Sequence, residues 1–114
     1  MARVEITPTL VTRDGVADPV AVLGTADGNA FANTGIAYVR AENLNLSSTR
    51  TIAFILPQVI DGETVNPRSE TIPAASTRTF GPFPTDLYNQ ADGTVWIDED
   101  AAAPADISLQ VYTL

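Results

Sequence analysis

The chain has 114 residues, 45% hydrophobic and 18% charged, which sets one folded domain with no room for a second core. Its 14 acidic and 6 basic residues give a formal charge of −8, and the basic residues are single, dispersed arginines (Arg3, Arg13, Arg40, Arg50, Arg68, Arg78). This argues against nucleic acid as a partner, and the lack of cysteine and histidine excludes disulfides, thiolate zinc sites and histidine-based nucleophile machinery.

Short alternating segments broken by turn residues predict an all-β fold. Val4, Ile6 and Leu10 suggest a first strand interrupted at Pro8. Proline has no N–H for the ladder, so this strand is expected at an edge or crossing between sheets. Arg13-Asp14-Gly15 reads as a turn, Pro19–Leu23 as a second strand and Thr25–Gly35 as a loop. In Ile36–Glu42, Ile36, Tyr38 and Arg40 share one face, and Ala37, Val39 and Ala41 share the other. Asn43–Ser48 is turn-rich. Arg50–Leu56 is the most apolar strand, expected to lie centrally and be buried on both faces.

Val59-Ile60 precede the Asp61-Gly62 turn, and Thr64–Pro67 reads as loop or short edge. Glu70–Ile72 and Thr77–Phe80 are strands, and Asp86–Tyr88 is a helical turn or tight bend. Gly93–Asp98 is a strand, and Glu99–Asp106 a flexible acidic loop. Ile107–Leu114 closes the chain, with Ile107, Leu109 and Val111 inward and Ser108, Gln110 and Tyr112 outward. Seven to nine such strands predict a two-sheet antiparallel β-sandwich, Ig-like or jelly-roll-like, spanning residues 1–114, with 1–12 an N-terminal arm or edge strand. No apolar run approaches the ~20 residues needed to span a bilayer. The N-terminus MARVEITPTLV lacks a signal-peptide core, so the expectation is a soluble chain made in the cytoplasm.

Four constellations invite a chemical reading. Asp98-Glu99-Asp100 with Asp106 could offer oxygens to calcium, although no EF-hand spacing is present; the plain alternative is a solvated loop. Trp96 and Tyr38 could form an aromatic sugar platform, or Trp96 packs under a loop or at a subunit interface. Phe80, Phe83 and Tyr88 form a plug at one end of the sandwich, unless Phe83 docks on another subunit. Asn45-Leu46-Ser47 matches a glycosylation sequon but has no secretion signal beside it. None of these makes a catalytic set, so the expectation is a non-enzyme without cofactor or metal.

The layout of the whole chain resembles small bacteriophage head decoration proteins, also called cement proteins. The resemblance rests on the opening ARVEITPTLVTRDG, the loop ADGNAFANTG, the strand pair around Asp61-Gly62, the segment TRTFGPFPTDLY and the closing strand Leu109–Leu114. Arginine as the sole basic residue fits a phage of a high-GC host. The resemblance implies a virion protein on the capsid exterior that binds the major capsid protein, assembles as a homo-oligomer with a trimer favoured, and has no catalytic residues. Val4, Ile6, Pro8 and Leu10 would then supply an edge for capsid contact by strand addition, with Phe83 and Trp96 as further interface candidates. The alternative is a carbohydrate- or host-surface-binding module of a tail, neck or fibre.

Overall fold

A computed structural model describes residues 3–114 as two facing β-sheets. The first sheet runs β1 (Val4–Ile6), β4 (Asn29–Ala32), β11 (Thr94–Glu99), β6 (Arg50–Phe54), β9 (Arg68–Ile72) in spatial order. The second runs β10 (Thr77–Phe80), β5 (Ala37–Asn43), β12 (Ile107–Thr113), β2 (Thr9–Leu10), and β3 (Val22–Leu23) also pairs with β12. A small hairpin, β7 (Val59–Ile60) with β8 (Glu63–Thr64), belongs to neither sheet. The twelve strands among the described residues exceed the expected seven to nine because two-residue pairings at edges and in the hairpin leave little periodicity to read.

The sandwich is antiparallel in its interior and parallel at one edge of each sheet. β1 lies parallel to β4, with Val4 opposite Asn29, and β2 lies parallel to β12, with Thr9 opposite Tyr112. Pro8 sits between β1 and β2, where the chain passes from the first sheet to the second. A residue without an N–H is tolerated at such a crossing because no ladder bond is lost. The expected N-terminal arm is therefore a pair of edge strands. Val11 continues the second pairing, donating its N–H to the Thr113 carbonyl at 2.9 Å.

The core lies between the sheets. Ile6, Phe31, Ile52, Phe54, Ile72, Val95 and Ile97 face Ala37, Val39, Ala41, Ile107, Leu109 and Val111. The inward faces of β5 and β12 follow the period-2 reading. On β12, however, Ser108 and Tyr112 are buried as well. The segment before β3 runs beside them: the Tyr112 hydroxyl donates to Asp18 Oδ1 at 2.9 Å and Gln110 Nε2 to the Pro19 carbonyl at 2.7 Å. β6 is interior as expected, but its outer face is not closed, because Thr51 is exposed and Ala53 half-buried.

The segment read as a loop, Thr25–Gly35, contains β4, which is hydrogen-bonded to β1 on one side and β11 on the other. Gly28 and Asn33-Thr34-Gly35 frame four residues too few to show alternation. Asn29, fully buried, donates Nδ2 to the Val4 carbonyl at 3.2 Å and ties the edge strand in place. Pro19–Leu23 contracts to Val22–Leu23, while Asp61 (φ 51°) and Gly62 (φ 79°) form the expected turn of the small hairpin.

Candidate interaction surfaces and the acidic corner

Thr94, at one end of β11, adjoins an aromatic plug. Gly81 (φ 140°) breaks the chain after β10, and a side chain there would run into the Ala37 carbonyl and Tyr38. The Gly81–Pro82 peptide bond is cis. Beyond it Phe83 turns inward, with ring centroids 4.9 Å from Phe54, 5.2 Å from Tyr88 and 5.6 Å from Phe31. Phe80 packs on Phe54 at 5.3 Å. The helical turn α1 (Thr85–Tyr88) presents Tyr88, and Asn33 Nδ2 bridges the Phe83 carbonyl (2.9 Å) and Asn89 Oδ1 (2.7 Å). Phe83 is only 3% exposed, so it belongs to the plug and not to a surface; Ile6, also buried in the core, is removed from the candidate contacts in the same way.

Three other N-terminal candidates stay accessible: Val4 and Leu10 are exposed and Pro8 is half-buried. Trp96 points outward from β11 but is half-buried. The Arg3 guanidinium lies 4.5 Å from its ring centroid and donates Nη1 to Asp98 Oδ1 (2.7 Å) and the Ile97 carbonyl (2.9 Å). That cation occupies a ring face a sugar would need. Tyr38 lies on the other sheet, stacked on Tyr112 at 5.1 Å, so a Trp96–Tyr38 platform is not assembled.

At the far end of β11 the acidic residues part company. Asp98 pairs with Arg3, Asp100 accepts from the Ala102 and Thr51 N–H groups, and Asp106 accepts from Arg50 Nε (3.0 Å) and Asn45 Nδ2 (3.1 Å). Bonds from Asn45 and Arg50 hold the Asp106 carboxyl below its usual range, and the Ala102 and Thr51 bonds do the same for Asp100. The expected flexible loop is thus pinned, and its carboxylates face different partners. Asn45 itself is engaged, its Oδ1 accepting from the Ser47 and Ser48 N–H groups.

Glu99 differs from its neighbours because its strand position turns it inward. It is 9% exposed, accepts the Thr25 N–H on Oε1 at 3.3 Å, and its Oε2 has no partner among the described residues. Desolvation pushes its pKa up to about 7, against the downward pull of the Thr25 bond. Gly24 passes so close that any side chain would collide with Glu99 and the Pro104 carbonyl. A cavity of about 280 Å³ opens beside it, lined by Thr25, Ala26, Gly28, Asp98, Glu99, Ala101 and Pro104. The sequence reading grouped Glu99 with solvated acids. Its alternation with Val95 and Ile97 was the signal that marks it as inward.

The expected strand pair around Asp61-Gly62 is present as the β7–β8 hairpin, and its exposure had no signal in the sequence. Val59 and Ile60 are consecutive, so they point to opposite faces, yet they are 60% and 67% exposed. Gln58 Nε2 anchors the hairpin base to the Asp86 carbonyl at 2.8 Å.

Taken together, the geometry defines an all-β, sandwich-like domain with an aromatic plug at one end and a buried carboxyl beside a cavity at the other. Comparison with protein-family models, curated proteins and solved structures finds no match in any of the three. No helix among the described residues is long and apolar enough to cross a membrane.

Proposed function

We propose that this chain is a structural virion protein, a decoration protein that binds the major capsid protein on the outside of the head and stabilises it without catalysis. The observation that carries this reading is that β1 and β2 are built into the two sheets and β2 is paired with β12. β2 runs parallel beside β12, so a force along these strands in opposite directions would load their backbone hydrogen bonds together, in shear. Such a body suits a part that must hold its shape on a pressurised shell. Stabilisation then follows from mass action, because a protein that binds only the assembled lattice favours that lattice. The charge of −8 keeps the free protein soluble and away from packaged DNA. The layout resemblance supplies the capsid as partner and favours a trimer.

The test is to mix the purified protein with undecorated capsids of the virus that encodes it and to image them by cryo-electron microscopy. Extra density at three-fold or quasi-three-fold positions is the expected outcome. Bare capsids at saturating protein would overturn the reading and bring a tail, neck or fibre role forward.

A further inference from the structure

β6 and β9 are adjacent antiparallel strands, with Phe54 opposite Arg68. A two-residue turn would join them. Instead residues 55–67 intervene and carry their own hairpin, β7–β8, which pairs with neither sheet. Ile55 still bonds to the Trp96 carbonyl and Gln58 to Asp86, so the base is held while the tip projects. A two-stranded hairpin alone is marginal in water, and this one exposes two β-branched apolar side chains on opposite faces. An insertion that the sandwich does not need, holding apolar side chains in solvent, has the character of a contact element.

The charges around it indicate what it fits. Asp61 and Glu63 stand at the tip and residues 55–67 contain no basic residue, while Arg68, just past the base, is already paired with Glu70 at 3.2 Å. A second copy would bring the same carboxylates and a charge of −8 against them. We propose that the β7–β8 hairpin is the docking element of this protein, placing Val59 and Ile60 in an apolar groove of a partner protein bordered by arginine or lysine. This rests on the decoration reading, and the groove then belongs to the major capsid protein.

The test measures binding of the full chain to undecorated capsids by co-sedimentation, beside Val59→Ser/Ile60→Ser and Asp61→Asn/Glu63→Gln. With thermal unfolding unchanged, the apolar double variant is expected to bind at least about tenfold more weakly. The charge double variant, altered only at exposed side chains and so safe for folding, is expected to associate about threefold more slowly. Equal binding by all three would overturn the hairpin inference and leave the decoration reading standing. Absence of binding by the unaltered protein would fell the decoration reading, and the capsid groove with it. Self-association that disappears in the Val59→Ser/Ile60→Ser chain would make the occupant a second copy and overturn the basic partner.

Discussion

At one end of β11 five aromatic rings, Phe31, Phe54, Phe80, Phe83 and Tyr88, interlock over the core; at the other a single carboxyl, Glu99, is buried with one oxygen unpartnered among the described residues. Both ends bound the core of the same sandwich. The aromatic end does so with edge and tilted ring contacts that add to area burial and are indifferent to pH. The acidic end does so with a group whose burial is tolerable mainly in its neutral form. The stability of one end is therefore a matter of packing, and that of the other depends on protonation.

The largest effect should come from the aromatic end. Phe83→Ala removes the ring shared by Phe31, Phe54 and Tyr88 and is expected to cost about 3–5 kcal/mol in urea unfolding. A loss under about 1 kcal/mol would show that the plug does not close the core.

At the acidic end the sign follows from the shift. Glu99 titrates near 7 in the fold against an ordinary 4.5, so its contribution is full below about pH 4.5 and is lost as pH rises through 7. Asp92, Asp100 and Asp106 are held low by hydrogen bonds, so theirs is lost only in acid. Stability should thus peak near pH 5 and the melting temperature fall by about 5 °C towards pH 8, the size of roughly 1 kcal/mol once solvent screening at the cavity mouth is allowed for. Glu99→Gln should flatten the alkaline limb. A limb that persists in that variant would place the titration elsewhere.

Arg3→Ala sharpens the same corner from outside. It removes the cation over Trp96 and the Asp98 pair, for about 0.5–1 kcal/mol. Trp96 is the sole tryptophan, so its fluorescence should become more accessible to acrylamide; unchanged quenching would mean that Arg3 does not cover the ring. The smallest effect is expected at the hairpin: Ile60→Ser should alter stability by less than about 0.5 kcal/mol, since the side chain is already in solvent. A larger loss, read from the same urea titration, would show that the hairpin packs on the body.

Much of this contrast was legible in the chain. The Phe80–Phe83–Tyr88 plug could be read because glycine and proline punctuate it and its aromatics are bulky. The inward faces of β5 and β12 were legible because they are long enough for a period of two to repeat. β4 was not, since four residues between glycine- and asparagine-rich flanks carry no period, and its burial comes from β1 and β11, which are distant in sequence. Glu99 was hidden by its neighbours: a run of three acids reads as solvated unless the strand phase is carried through it. The pairing of Arg3 with Asp98 and Trp96, across more than ninety residues, has no local signal at all.

By itself the sequence determined an all-β sandwich, a break in the first strand at Pro8, a Gly-Pro break ahead of the aromatic segment and an acidic balance with arginine as its sole basic residue. These follow from side-chain period, backbone restriction and charge count, which are properties of neighbours along the chain. Only the tertiary structure decided that the N-terminal strands lie parallel to β4 and β12, that the acidic run divides between ion pairs and a buried carboxyl, and that the β7–β8 hairpin pairs with neither sheet. Those outcomes depend on which distant strands meet and on how much solvent each group keeps, and neither quantity exists until the sheets have packed.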